Sequence, residues 1–425
     1  MFNQGGLSLE QAPPISVVLN FFITASFFGL LLGLYLLGDS TQLLPTNDYA
    51  FDLTVVHLLS LGVMASFMLG ALFQMLPVLA GVVIHAPVRK SIVINALLIV
   101  GIVLQLLAFH THNRLLYLGA AIVLGVALLY ATTMMLKELI GLKDHSSSSR
   151  GMLFSLGSFA LAILLGVYLL LSLGGYIDGR SFEEIKTAHY SFALFGWVSL
   201  LIISVSFQVV EMFYVTPKYP DMLSKYLILA LFILLVFKLL TLLAGISTTA
   251  ITILLSLLFI LYGGITIHRF YRRRRPTSDA TVWFWRLGMG LLIISMSIVI
   301  LNRSIGIEDL MPLSYLSFIG FALSIVFAMI YKIVPFLVWF HLSNQGYIEA
   351  PMMHDVIHPK RAKIHFGIHT AMLLAWSGSM LLEFQLLIPL ASLLTTLSFG
   401  WILYHLIVAW RQYNYIQQHT EKIEW

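Results

Sequence analysis

The chain has 425 residues, of which 59% are hydrophobic and only 10% are charged. Soluble domains carry about 25% charged residues, so this composition excludes a soluble protein and predicts one that is solvated by a lipid bilayer. The net charge of +5 does not indicate a nucleic-acid partner, because the basic residues lie in short segments between apolar runs. The chain has no cysteine, which excludes disulfides and iron–sulfur clusters and leaves its 14 histidines as the main candidate ligands of a metal or haem.

Apolar runs long enough to cross a bilayer recur along the whole chain and predict an all-α, polytopic membrane protein with about twelve transmembrane helices. Helices are expected because an open sheet edge cannot exist in lipid. No polar stretch is long enough for a soluble domain, so 1–425 is interpreted as a single integral membrane domain. The runs lie near 15–37, 51–81, 91–109, 114–139, 151–175, 188–216, 222–244, 248–271, 280–302, 313–341, 364–384 and 388–411.

The distribution of lysine and arginine predicts the orientation, because cytoplasmic loops carry an excess of both. If the N-terminus is cytoplasmic, the loops after even-numbered runs and the C-terminal tail are cytoplasmic too. These segments hold Arg89, Lys90, Lys137, Lys143, Arg150, Lys218, Lys225, Arg269, Arg272, Arg273, Arg274, Arg275, Lys360, Arg361, Lys363, Arg411 and Lys422. The opposite loops hold Arg114, Arg180, Lys186 and Arg303. Both termini are therefore predicted to be cytoplasmic.

The second, sixth and tenth runs resemble one another. They read HLLSLGVMASFMLGALFQMLP, HYSFALFGWVSLLIISVSFQVVE and LSYLSFIGFALSIVFAMIYKIVP. Aligned on Pro77, Glu211 and Pro335, they share a glycine register: Gly62, Gly196 and Gly320. Four runs separate each copy from the next, which predicts three four-helix units, roughly 15–139, 151–271 and 280–411, about a pseudo-threefold axis.

Small residues in the middle of these helices allow another group to approach the backbone closely. That group is either a neighbouring helix or a flat macrocycle, so Gly62 and Gly196 are candidate cofactor contacts. The simpler interpretation is that glycine is common wherever membrane helices touch.

The repeated segments, together with YKIVPFLVWFH, resemble the catalytic subunit of the haem-copper oxidases and the NnrS family of haem- and copper-containing membrane proteins linked to nitric oxide stress. The resemblance implies a bacterial inner membrane, haem b with copper as a second candidate, and an electron donor or oxidase subunit as partner. It implies a redox function or one related to nitric oxide or oxygen.

The chain departs from the oxidase pattern at the copper site. The oxidases carry copper-binding histidines on spans six and seven and an H-x-H on span ten. Here the seventh run has no histidine and the tenth begins LSYLSFIG. An oxygen-reducing haem-copper centre of the family type is therefore not expected.

Two histidines near the outer ends of the second and sixth runs are the leading ligand candidates, His57 and His189. Both runs have the same direction, so the imidazoles are expected at similar depth, where they could hold haem or a metal ion. Bis-histidine haem b is one interpretation and His57 alone on a five-coordinate haem is another. Each could also be a hydrogen-bonded core histidine. Ser191 occupies the repeat register of His57.

A second histidine group is predicted on the cytoplasmic side. His365 and His369 are four residues apart and share a helix face, a spacing that can bind a metal. His369 and His405 are candidate ligands of a second haem. The alternative is a set of interfacial histidines among lysines and lipid headgroups.

Three ionisable residues inside the runs need partners: Lys332, Glu211 and Lys238. Lys332 and Glu211 are expected to form an ion pair or a proton relay, and Lys238 to meet a haem propionate or an outer acidic residue. Two other functions remain open at this point, a transporter or permease with these charges along its path, and a cofactor-free oxidase assembly factor. The sequence leaves the oligomeric state and any enzymatic activity undecided.

Overall fold

The computed structural model describes residues 12–39, 44–46, 48–275 and 277–422. The described residues form twelve helices of 23 residues or more, with no strand among them. In chain order the helices are α1 Ile15–Gly38, α2 Tyr49–Ala80, α3 Pro87–Thr111, α4 Arg114–Ile140, α5 Ser147–Leu173, α6 Phe182–Tyr214, α7 Asp221–Leu243, α8 Thr249–Tyr271, α9 Ala280–Ile305, α10 Met311–Asn344, α11 Pro359–Leu382 and α12 Leu387–His419. A 3₁₀ turn, Glu308–Leu310, leads into α10, and one helical turn, Met353–Val356, precedes α11.

Eleven of these helices are long and apolar enough to cross a membrane, which confirms a polytopic, all-helical membrane protein over the described ranges. The exception is α11. It begins with Lys360, Arg361 and Lys363 and carries His365 and His369 within its length, so it is more polar than the other helices. Its geometry is nevertheless that of a 24-residue helix packed against α12.

Successive helices run in opposite directions, so residues 12 and 422 lie at the same face of the bundle. This face, where even-numbered helices end, is named the terminal face, and the other is named the far face. The most deeply buried spans are α10, α6, α2 and α1, whereas α7 is the most exposed. The interior is therefore built around three helices of the same direction, α2, α6 and α10.

Helices α2 and α6 share a local irregularity. Each contains one π-helical stretch, Leu58–Ala65 in α2 and Ser191–Val198 in α6. Each stretch includes the repeat glycine, Gly62 or Gly196, and begins within two residues of a candidate histidine. Such π-helical insertions often occur at functional sites, because they change the direction in which side chains project.

The three repeat glycines are helix-packing positions. A Cβ atom on Gly62 would lie 2.8 Å from Phe28 of α1, and one on Gly196 would lie 2.6 Å from Ser158 of α5. A Cβ on Gly320 would lie 2.9 Å from Leu291 of α9. Neighbouring helices thus fill the space beside these glycines, and a cofactor contact at Gly62 or Gly196 stays a prediction.

The same contacts recur around the bundle. Helix α1 packs on α2, α5 on α6, and α9 on α10, while α4 packs on α5, α8 on α9, and α12 on α1. The last of these contacts brings the C-terminal helix back to the first one. Gly33 of α1 lies against the backbone of Thr396, so the two helices approach very closely.

Candidate functional site

His57 lies on α2, eight residues from the far-face start of that helix. Its Nδ1 atom is 2.7 Å from the carbonyl oxygen of Leu53. A carbonyl oxygen can only accept a hydrogen bond, so Nδ1 carries the proton and Nε2 keeps its lone pair. The ring packs against Phe109 of α3 at a centroid distance of 5.2 Å, and its Nε2 has no hydrogen-bond partner in the described residues.

His189 occupies the corresponding depth on α6, seven residues from the start of that helix. Its Nδ1 is 2.8 Å from the carbonyl oxygen of Ala162 on α5, which fixes the same tautomer as in His57. The ring lies over Gly166, where a Cβ atom would come within 2.9 Å of the imidazole Cε1. Glycine is therefore required there if the ring is to keep its position.

The two imidazoles are alike in placement and in protonation. They come from parallel helices, sit at similar depth, and both present an unprotonated Nε2. A carbonyl that holds Nδ1–H is the usual arrangement around a ligating histidine, because it orients the ring and makes Nε2 a better donor. Ser191 cannot replace either ligand, since its hydroxyl donates to the Thr187 carbonyl 2.7 Å away. Both histidines therefore have the tautomer that metal ligation through Nε2 requires.

A cavity of about 80 Å³ lies between α2, α6 and α10, on the terminal-face side of the repeat glycines. Its walls are almost entirely apolar, and Ser206, its one hydroxyl, donates to the Ile203 carbonyl. This volume suits a few small atoms and is far too small for a porphyrin. A haem at His57 and His189 would therefore lie away from this cavity, near the far face.

The second histidine group is buried inside the bundle. His365 and His369 are fully buried, and His405 is 7% exposed. Nε2 of His365 lies 2.9 Å from the Ser398 hydroxyl of α12, and Nε2 of His369 lies 2.9 Å from the Ser324 hydroxyl of α10.

The interfacial interpretation of this group is therefore wrong for His365 and His369, although it fits the exposed His354 and His358. The ring centroids of His365 and His369 are 6.4 Å apart, and their Nε2 atoms bond to serines of different helices. In the described part of the chain, no three or more histidine or carboxylate side chains are arranged to hold a metal ion. A metal at this pair, and a second haem at His369 or His405, stay predictions.

Lys332 forms an ion pair, but with a different partner from the one predicted. Its Nζ is 2.6 Å from Oδ2 of Asp279, whose Oδ1 caps the start of α9 by accepting from the backbone N–H groups of Thr281 and Val282. Burial alone would raise the pKa of the Asp279 carboxyl, but the Lys332 ammonium and these hydrogen bonds hold that pKa below its ordinary value.

Glu211 instead stabilises a loop. Its carboxylate accepts a hydrogen bond from the backbone N–H of Tyr219 at 2.8 Å. Tyr219 is itself buried in this loop and hydrogen bonds to Thr266, and burial raises the pKa of its phenol to about 12. The predicted pairing of Lys332 with Glu211 is wrong, because each group has a nearer partner at the terminal face. A transport path lined by both residues loses its main support.

Lys238 is the one predicted buried charge for which no acidic partner is found among the described residues. It lies on α7, is 4% exposed, and its ammonium is 5.9 Å from the centroid of the Phe195 ring. Another cation, Arg303, acts on it electrostatically. A contact between Lys238 and a haem propionate stays a prediction.

Several polar residues of these sites were missed from the sequence. Asp279 could have been found, since an acidic residue directly before an apolar run is a helix N-cap signal. Ser324 and Ser398 carry no such signal, because isolated serines are common in membrane helices. Comparison with known proteins adds no family, since no protein-family model and no curated protein sequence matches the chain.

Proposed function

We propose that the protein has twelve transmembrane helices arranged as three four-helix units about a pseudo-threefold axis. The recurring contacts support this arrangement, since the fourth helix of each unit packs on the first helix of the next. The cavity between α2, α6 and α10 supports it further, because its walls come from the same repeat registers of all three helices. The matching wall residues are Phe67, Leu201 and Ile325; Met68, Ile202 and Val326; Ala71, Val205 and Met329; and Leu72, Ser206 and Ile330.

The terminal face is the cytoplasmic face in this proposal, and the membrane is a bacterial inner membrane. The support is the excess of lysine and arginine in the terminal-face loops and tail. The histidine pair at His57 and His189 would then lie in the outer half of the bilayer.

We propose further that His57 and His189 bind haem b between α2 and α6. One observation carries the proposal: both Nδ1–H groups donate to backbone carbonyls, so both Nε2 lone pairs remain for iron. The haem would supply one-electron redox chemistry, and a diatomic gas would bind only by displacing one of the two histidines. The protein holds and orients it, and the missing copper-site histidines favour electron transfer or gas sensing over oxygen reduction. An electron donor or an oxidase subunit is the expected partner.

The test is the absorption spectrum of the purified protein, with haem content measured as the pyridine haemochrome. A Soret band is expected in the wild type, and its loss or displacement in His57→Ala and His189→Ala. His110→Ala is the matched control, because His110 lies at the same face but its Nε2 already contacts Tyr35 and Thr54 at 3.1 Å. A folded protein that stays colourless after haem addition would reject the proposal.

A further inference from the structure

The histidines of α11 and α12 belong to a larger buried cluster that the haem proposal does not use. Five of its polar atoms are buried without a hydrogen-bond partner in the described residues. They are Nδ1 of His365, Nδ1 of His369, Nε2 of His405, the Tyr331 hydroxyl and Nε1 of Trp401. An unpaired buried polar group costs about 1–3 kcal/mol, and native proteins rarely leave several together.

The unpaired atoms are ordered along the bundle axis. His405 lies nearest the terminal face, and its ring centroid is 5.1 Å from that of Trp401, one turn further in along α12. Tyr331 and Trp401 are neighbours one step further in, close enough for the indole N–H of Trp401 to reach the Tyr331 hydroxyl. His365 follows, since its ring centroid lies 5.7 Å from that of Tyr331 and 6.4 Å from that of His369.

This row of unpaired side chains, called the file below, ends near the middle of the bundle. His369 lies about 6 Å beyond His365 along α11, and its Nε2 meets the Ser324 hydroxyl near the midpoint of α10. Seven residues separate Ser324 from Tyr331, which places them about 10 Å apart along the helix axis. The cluster therefore spans about a third of a hydrocarbon core of about 30 Å.

Apolar rings surround this file on the other sides. Phe327 of α10 packs on both imidazoles, at centroid distances of 4.7 Å to His365 and 5.2 Å to His369. Phe284 of α9 lies at 5.6 and 5.5 Å from the same two rings. These two phenylalanines offer no hydrogen-bond partner to the unpaired nitrogens of His365 and His369.

We propose that this cluster is a hydrated half-channel, which opens at the terminal face beside His405 and ends at Ser324. Water is the ligand that fits, because each unpaired imidazole nitrogen needs one small partner able both to donate and to accept. The groups that line the file are imidazoles, an indole and hydroxyls, and none of them is a carboxylate. A metal ion or a positively charged substrate would therefore have no counter-charge there. A chain of waters and imidazoles would bring protons from the terminal face to the middle of the bundle. This site is separate from His57 and His189 and does not depend on bound haem.

The absence of native cysteine allows a direct test of water access. Ser324→Cys and Ser398→Cys each place one thiol in the file, and Ser26→Cys is the matched control. Ser26 is fully buried at the middle of α1 and donates only to the Phe22 carbonyl of its own helix. The S–H stretching band in the infrared is then followed after transfer of the reconstituted protein to D₂O.

Thiols at 324 and 398 are expected to exchange for deuterium at least ten times faster than the thiol at 26. Exchange at 324 that is as slow as at 26 would overturn the proposal, because the file would then be dry. A second variant, His365→Phe in the Ser324→Cys background, should slow exchange at 324 at least tenfold by closing the file. An unchanged rate in that variant, with a wild-type unfolding temperature, would overturn the route from the terminal face.

Discussion

Closure of the helix ring between α12 and α1 depends on two glycines of α1: Gly29, which faces the Phe399 ring, and Gly33, which faces the backbone of Thr396. A Cβ atom on Gly33 would lie 2.5 Å from the backbone nitrogen of Thr396 and 2.5 Å from its hydroxyl oxygen. The Thr396 side chain is held in place, since its hydroxyl donates to the Ser392 carbonyl at 2.9 Å. A backbone atom cannot move aside alone, so Gly33→Ala must push the two helices apart.

The size of the effect follows from these distances. Restoring an ordinary contact requires the helix backbones to separate by about 1 Å, because heavy atoms pack at about 3.5–4.0 Å. Adding a methyl group to a filled contact costs about 1–3 kcal/mol, whereas alanine in place of glycine within a helix returns about 0.5–1 kcal/mol. The difference between these two ranges is about 0–2.5 kcal/mol, and because the added methyl group meets a backbone atom, the expected net loss in the free energy of unfolding is in the upper half, about 1–2.5 kcal/mol.

The assay is equilibrium unfolding of the purified protein by SDS in mixed micelles. Gly264→Ala in α8 is the matched control, because nothing lies within 4 Å of the added Cβ and the position is exposed. That variant should unfold at the wild-type SDS fraction or above it. If Gly33→Ala is as stable as Gly264→Ala, then α12 does not approach α1 as closely as described, and the closed three-unit arrangement loses its main support.

Two further predictions concern the Lys332–Asp279 ion pair at the terminal face and the candidate site. A double-mutant cycle on Lys332→Met and Asp279→Asn should give a coupling energy of about 1 kcal/mol, since the pair is only partly buried. The pKa of Asp279 is lowered in the folded protein, so the ion pair should contribute fully to the free energy of unfolding above pH about 4. That contribution should be lost as the pH falls through the lowered pKa of the folded state. Unfolding experiments at several pH values, on the wild type and both variants, would detect the loss. Gly166→Ala should displace the His189 ring and shift or weaken the Soret band with little change in unfolding temperature, whereas Gly157→Ala in the same helix, with open space around its added Cβ, should leave the spectrum unchanged.

Much of the fold follows from the sequence because lipid imposes one simple demand, a long apolar helix at each crossing. The fourth run, expected at 114–139, is the helix Arg114–Ile140, and the eighth, expected at 248–271, is Thr249–Tyr271. The eleventh run is the difficult case. Its two histidines, His365 and His369, face the bundle interior, and Lys360, Arg361 and Lys363 are exposed at its start, so its composition is not that of a lipid-exposed span although its length is.

The candidate site was predictable in part. The repeat register indicated that His57 and His189 would lie at similar depth, because they sit on parallel, equivalent helices. The tautomer was not predictable, since the carbonyl that fixes His189 belongs to Ala162, on a different helix. Likewise, the pairing of Lys332 with Asp279 depends on how α9 packs against α10, which no local pattern in either segment reports.

The most direct test of the haem proposal is electron paramagnetic resonance of the oxidised, purified protein. Two imidazole ligands on one iron predict a low-spin ferric signal, which should change to a high-spin signal in His189→Ala and in His57→Ala. A wild-type protein with only high-spin iron would exclude the histidine pair as joint ligands. The absence of any ferric signal in folded, haem-supplemented protein would contradict the proposal altogether.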